Sequence, residues 1–355
     1  MVKVEDLDNP EKVKETDPSE MLAVVAQTPE MMTKAGQISP VPALRKSKKI
    51  SQILVAGMGG SAISGDIMAG MFFFKSSIPI LVNRDYRLPA FAGKETLVLA
   101  LSYSGNTEET LHAVKEAERA GAKIVCVTSG GKLKEIAESK GYPLYLLPSG
   151  FQPRAALPYL LIPALKALEG AGVVSGIQDE IKKAGDLLRK LRGEYGTDRP
   201  LRSNPAKQLA KKLMDRIPVI FASSVTTEAA GLRLKTQFNE NSKVTALFGV
   251  FPELNHNEIV NLSTLKREEH DFSLILLRDE GDFERTKKRM EITKSLLGTQ
   301  LGGVNEIWSQ GKTPLERVLS LIFFGDFLSV YLAILRDIDP TPVDVITRLK
   351  KELAR

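Results

Sequence analysis

The feature that most constrains this chain is a repeated alternation of short apolar strands with helical stretches. Apolar, β-branched runs occur at 53–56, 78–82, 96–101, 123–127 and 143–147, and again at 219–222, 244–248, 272–277 and 304–308. Strands this short and this uniformly apolar, separated by helices, make βαβ units whose parallel sheet is buried on both faces. At 355 residues the chain exceeds the usual size of one domain, so two such series predict two tandem α/β domains. The stretch 192–205, rich in Gly, Arg, Asp and Pro and lacking an apolar period, reads as the linker between them. The expected organisation is a polar N-terminal extension over 1–40 with a helix near 19–34, a first domain over 41–192, and a second over 205–355. Further helices are expected over 155–168, 179–191, 314–336 and 342–353.

Composition narrows the class of partner. Lys and Arg outnumber Asp and Glu by 49 to 43, a formal charge of +6 that suits an anionic small substrate. The densest basic cluster, Arg45-Lys46-Ser47-Lys48-Lys49, has no interleaved aromatics and reads as a solvated connection, so no nucleic-acid partner is expected. Cys126 is the single cysteine and sits inside an apolar strand, and there are three histidines. No disulfide within the chain, zinc cluster or other metal site is expected from that set. No run reaches about eighteen consecutive apolar residues, so no membrane span is expected. The first residues lack the apolar core of a secretory signal, and the expected location is the cytoplasm.

Two loops carry the candidate chemistry of the first domain. The first strand leads into Gly57-Met58-Gly59-Gly60-Ser61-Ala62, which has the spacing of a dinucleotide fingerprint, with Asp85 placed where a ribose carboxylate would stand. Any strand-to-helix turn approached by a phosphate needs the same small residues, so that match alone decides nothing. The third strand leads into Ser102-Tyr103-Ser104-Gly105-Asn106-Thr107, whose hydroxyls and N–H groups precede a helix. A dinucleotide site does not require this second loop, whereas a single phosphate is well served by it. In a doubly wound sheet the loops after strands one and three can meet at a switch point, where ligands bind.

The second domain offers acid–base groups. Glu240 lies between Asn239 and Asn241 at the end of a helical stretch, and His256 lies between Asn255 and Asn257 on a loop where the amides could orient its ring. Each has a bland alternative as a solvated polar side chain, and His112 and His270 have no comparable setting.

Ser102-Tyr103-Ser104-Gly105-Asn106-Thr107-Glu108-Glu109-Thr110 resembles the phosphate loop of the sugar-isomerase (SIS) domain family, and Gly57 to Ser61 resembles its first loop. Together with Pro153-Arg154-Ala155-Ala156, Asn239-Glu240-Asn241, Asn255-His256-Asn257-Glu258 and Lys350, the chain over about 50–355 resembles the bifunctional phosphoglucose/phosphomannose isomerase family. The resemblance implies two tandem SIS-type domains, each a mainly parallel sheet flanked by helices. It implies an aldose–ketose isomerase acting on glucose 6-phosphate or mannose 6-phosphate through a cis-enediol, without a cofactor. Gly60, Ser61, Ser102, Ser104 and Thr107 are then the phosphate ligands and Glu240 the proton-moving base. Arg154 stabilises the enediolate, and His256 and Lys350 assist ring opening. Thr341 is the candidate for tolerance of both C2 epimers. The resemblance also implies a homodimer with shared active sites, His256 coming from the partner. Three alternatives differ in class: a non-catalytic phosphosugar-binding SIS protein, an SIS isomerase of the glucosamine 6-phosphate type, and a nicotinamide dehydrogenase.

Overall fold

The computed structural model describes residues 4–46, 49–264, 272–298 and 300–353, so His270 lies outside the described residues. The chain divides into two compact units, one of Gln27–Leu188 with Gly311–Leu319, the other of Met1–Ala26, Arg189–Gln310 and Ser320–Arg355. The division falls inside helix Ile177–Tyr195.

In the Gln27–Leu188 unit, β1 (Gln52–Ala56), β2 (Ile80–Asn83), β3 (Thr96–Leu101), β4 (Lys123–Thr128) and β5 (Leu144–Leu146) form a sheet in the order β2-β1-β3-β4-β5. All neighbours are parallel, with Ala56 opposite Ala100 and Ala100 opposite Cys126. Every residue of β3 is buried, as a central strand covered on both faces requires. The chain steps from β1 to β2 on one side and returns to β3 on the other, which makes the gap between the loops after β1 and β3 the switch point.

The second sheet, in the other unit, contains β6 (Ile217–Ser223), β7 (Leu247–Phe251), β8 (Phe272–Arg278) and β9 (Val304–Trp308), again wholly parallel, in the order β7-β6-β8-β9. β7 begins three residues after the start of the apolar run that announces it. Val244 and Ala246 are buried, but they belong to the connection that leaves Lys243, whose φ of 53° ends the preceding helix. Helix Pro314–Leu335 is long and apolar enough to cross a membrane, with a mean hydropathy of 2.2, yet that stretch is entirely buried inside the chain and is a core helix.

The N-terminal segment forms several elements where one helix is expected. Helix Pro10–Thr16 is capped by the Asn9 side chain, and Met21–Ala26 and Thr28–Gln37 follow as separate helices. Pro29 explains the break, because proline lacks the N–H that would continue Met21–Ala26 and suits the first turn of a new helix. Thr28–Gln37 packs on Leu157–Gly170, and Lys166 Nζ donates to the carbonyls of Gly36 and Ile38 at 2.6 and 2.5 Å.

Cys126 lies at the centre of β4 in the core of the first sheet and is fully buried. Burial pushes its thiol up to about 12, so at neutral pH essentially none is thiolate, the form that reacts. The native protein should therefore resist a thiol-specific disulfide reagent at pH 8 for hours, and one thiol should react promptly once guanidinium unfolds the chain. Rapid labelling of the native protein would contradict this placement.

Candidate active site

The phosphate-loop candidates meet in the Gln27–Leu188 unit. Helix Gly59–Phe72 opens directly after β1, and Gly59 takes a φ of 49°, which glycine adopts without strain. Gly60 marks a close approach. A Cβ there would stand 3.2 Å from both the Cα of Arg154 and the carbonyl oxygen of Pro153. The turn Pro153–Ala155 thus lies directly on the glycine loop and brings Arg154 to it, although the two are far apart in the chain. Arg154 is only 3% exposed.

The loop after β3 is held by an interlock with the loop after β4. A Cβ on Gly105 (φ 70°) would fall 1.8 Å from the carbonyl oxygen of Gly130, and one on Gly131 (φ 66°) would fall 2.5 Å from that of Ser104. The Gly105 carbonyl accepts from the Leu133 N–H at 2.9 Å, and Asn106 Oδ1 accepts from the Lys132 N–H at 3.1 Å. Tyr103 fastens the other side, its hydroxyl donating to the Pro148 carbonyl at 2.8 Å and accepting from the Phe151 N–H at 3.1 Å. Burial raises the Tyr103 hydroxyl above its ordinary pKa, so it remains a donor.

Within this frame the hydroxyls divide by role. Ser102 is 1% exposed, and its Oγ lies 2.8 Å from Thr107 Oγ1 and accepts from the Gly105 N–H at 3.1 Å. It organises the loop from inside. Ser104 is exposed, and Thr107 is half-buried at the start of helix Glu108–Arg119, where a helix dipole favours an anion. Ser61 is buried in the first turn of the helix after β1. Parallel pairing of β1 with β3 puts these two loops side by side at the same edge.

Glu240, His256 and Lys350 fall in the other unit. Helix Glu228–Gln237 packs close to the second sheet, where Gly231 would place a Cβ 2.6 Å from the Phe248 ring and 2.9 Å from Ala222. It then loosens into a π-helical turn, Phe238–Ser242, that carries Glu240 half-buried. Single π turns occur preferentially at functional positions. A polar framework holds this turn against helix Pro314–Leu335. Arg233 makes a bidentate, buried pair with Asp326 at 3.0 and 2.8 Å, and Gln237 Nε2 donates to the same carboxylate at 2.9 Å. Asn241 donates to Ser329 Oγ at 2.9 Å and Ser242 to the Ser329 carbonyl at 2.6 Å. Asn239 donates to the Val244 carbonyl at 2.8 Å. The amides beside Glu240 therefore shape its turn.

Sequence reasoning misses this framework. Its signal is nevertheless present: Arg233, Gln237 and Asn241 recur at intervals of four along one helical face, and Asp326 and Ser329, three residues apart, interrupt the apolar stretch 321–335. Lys243 completes the turn. Its Nζ donates to the Glu240 carbonyl at 2.7 Å and to the carbonyls of Asp339 and Pro340 at 3.1 Å each. Thr341, next in the chain, donates its N–H to Asp339 Oδ1 at 2.8 Å. Thr341 thereby stands on the segment bridged to Glu240 through one ammonium group.

His256 is exposed on the turn Glu253–His256 just after β7. Its asparagine neighbours do not orient the ring. Asn255 donates to Thr293 Oγ1 at 2.9 Å and Asn257 to Glu253 Oε1 at 3.1 Å, so both secure the turn instead. Glu240 precedes β7 and His256 follows it, so a strand of about 17 Å lies between them along the chain. Lys350 is exposed on the last helix, Asp344–Leu353. His112, unassigned from the sequence, has its Nδ1 2.8 Å from the Tyr86 carbonyl, to which it donates.

Comparison with known proteins bears on the family of the chain. Residues 202–353 match the family described as bacterial phospho-glucose isomerase C-terminal SIS domain, and residues 44–148 match the SIS domain. A bifunctional phosphoglucose/phosphomannose isomerase of Caldicellulosiruptor bescii is 44% identical over 335 residues, covering 94% of this chain and 99% of that one. Its counterpart in Thermoplasma acidophilum is 37% identical over 304 residues, covering 86% and 90%. A D-glucosamine-6-phosphate 4-epimerase of Sulfolobus acidocaldarius is 31% identical over 313 residues, covering 88% and 91%. The solved structure of a glucose-6-phosphate isomerase like protein from Thermus thermophilus shares the fold, with a TM-score of 0.65 at 19% identity over 97% of this chain and 98% of that one.

The framework under Glu240 makes a quantitative expectation. Asp326→Ala strands the buried Arg233 guanidinium and should lower unfolding free energy by about 3–5 kcal/mol. Urea unfolding of the variant measures it. A loss below about 1 kcal/mol would show that the pair does not hold the turn.

Proposed function

The chain belongs to the bifunctional phosphoglucose/phosphomannose isomerase family, and from that premise we propose that it interconverts glucose 6-phosphate and mannose 6-phosphate with fructose 6-phosphate. The observation that carries the proposal is the pairing of two phosphate-sized loops at the switch point of the first sheet, with Arg154 pressed onto the glycine loop. A cradle of one glycine loop and one hydroxyl loop suits a single phosphate.

The roles follow from what the reaction needs. The Gly60 N–H, Ser61, Ser102, Ser104 and Thr107 hold the phosphate, and Ser102 also keeps the loop in shape from within. Glu240 takes the proton from C2 of the open-chain sugar and returns it to C1. The Arg154 guanidinium offsets the negative charge that grows on the enediolate oxygens, an effect largest in a water-poor setting such as its own buried one. His256 and Lys350 assist ring opening. Thr341, on the segment fastened to the Glu240 turn, is placed to bear on which C2 epimer is accepted. No step here calls for a nicotinamide or a metal ion.

The reading extends to a homodimer with shared sites. His256 and Glu240 are separated along the chain by the whole of β7, and the last helix leaves Val345, Leu349 and Leu353 exposed at 77, 58 and 60%. An isologous contact covers such a face twice and brings each His256 to the other subunit's Glu240.

Three measurements check these assignments. Fructose 6-phosphate alone should yield both glucose 6-phosphate and mannose 6-phosphate. Conversion of glucosamine 6-phosphate to its C4 epimer, with fructose 6-phosphate untouched, would replace this reading with the epimerase one. Glu240→Gln should cut turnover by about two to four orders of magnitude with little change in substrate affinity. C2 proton exchange with solvent at the wild-type rate in that variant would remove Glu240 from the chemistry. Finally, inactive Glu240→Gln and His256→Ala subunits, dissociated and reassociated together, should regain about a quarter of wild-type activity, because one site of each heterodimer carries both lesions and the other none. Failure to regain any activity would mean that each subunit supplies its own histidine.

A further inference from the structure

At the N-terminal edge of the second sheet lies a concave pocket of about 770 Å³ that the isomerase reading leaves unused. It is lined by Arg202, Lys211, Lys212 and Arg216, with Ser273 and Asn305 at its floor, and no carboxylate is among its lining residues. Among the described residues none of the four cations forms an ion pair. Lys211 and Lys212 occupy the last turn of helix Pro205–Leu213, where a helix dipole favours cations, so their position there needs no ligand. That account does not extend to Arg216. It follows the helix, is half-buried, and lies over Gly302, where a Cβ would fall 1.4 Å from its Nη1. The glycine thus provides the seat for a guanidinium that lines a space holding three other positive charges.

Like charges gathered in a concave space repel one another, and an anion inside it gains from all of them at once. The volume lies within the range typical of small-molecule sites. No aromatic side chain lines it, which removes the stacking platform that a single-stranded nucleic acid would use. Ser273 Oγ, 3.1 Å from the Asn305 amide that donates to it, belongs to a neutral polar floor suited to phosphate oxygens.

We propose that this pocket binds a small molecule carrying two or more phosphate groups, at a site separate from the phosphate loops after β1 and β3. Both sites take phosphate, so the test must keep them apart. Inorganic tripolyphosphate is titrated into the full chain by calorimetry with fructose 6-phosphate saturating, which occupies the first site. Saturable binding is expected in the wild type. Lys211→Gln combined with Arg216→Gln should weaken it about 10- to 100-fold, the loss of two charge-assisted contacts. Gly302→Ala leaves the charge unchanged but unseats Arg216 and should also weaken it several-fold, a response that mere loss of net charge would not give. Isomerisation of fructose 6-phosphate in the absence of tripolyphosphate should be unchanged in these variants, which also verifies their folding. The proposal is overturned by equal affinity in wild type and the double variant, by binding that fructose 6-phosphate abolishes, or by binding of a short single-stranded oligonucleotide where tripolyphosphate gives none.

Discussion

A strand buried on both faces has no room for an unpaired charged side chain, and this constraint organises the chemistry of the whole chain. In β3 all positions are buried, and in β6 all but the first are. Stranding an unpaired ion there would cost several kcal/mol. Polar function is therefore displaced to the ends of strands and to the first turns of the helices that follow. Hydroxyls collect after β3, glycines after β1, and a histidine after β7. The loops can be this polar because the sheet beneath them is this apolar.

Ends of strands are also where a chain is least restrained, so these loops need restraint of their own. The interlock between Gly105 and Gly130 supplies it on one side, with carbonyl and glycine nearly in contact, and Tyr103 supplies it on the other. Around Glu240 the means differ. A buried Arg233–Asp326 pair is costly to desolvate and adds little net stability by itself. What it adds is direction, because a bidentate guanidinium–carboxylate pair tolerates little rotation. With Gln237 on the same carboxylate and Asn241 and Ser242 on Ser329, the turn and the helix leading into it are tied at four side chains to one helix.

The strands of both sheets are legible in the sequence because short apolar runs between helices leave few other solutions, and the switch point follows from that pattern. β7 is displaced by three residues from its expected place because burial does not imply pairing: Val244 and Ala246 are buried in a connection that makes no ladder. Composition does not separate those cases. The π turn is invisible for a related reason. It differs from the end of an α-helix by hydrogen-bond register alone, and no side chain in Phe238–Ser242 demands it. The asparagines beside His256, which the sequence suggests as groups to orient its ring, serve the turn instead. Adjacency in sequence says nothing about which way a side chain leaves a tight turn. Arg154 is identifiable from its short motif, yet nothing local in 153–156 tells that the turn rests on Gly60; that contact spans β2 to β5.

Lys243 shows how these constraints combine. A left-handed φ costs a non-glycine residue about 1 kcal/mol, and glycine would end the π turn without that strain. A glycine, however, could not reach the carbonyls of Glu240, Asp339 and Pro340 together. Charge-assisted bonds of about 1.5–3 kcal/mol each outweigh the strain, even after discounting for an exposed ammonium. The consequence is a mechanical link. The backbone that carries Glu240 and the segment that leads into Thr341 hang on one side chain, so neither can shift without the other. If the base and the residue that senses C2 configuration are these two, their relative position is set by Lys243, a residue that need not touch the sugar.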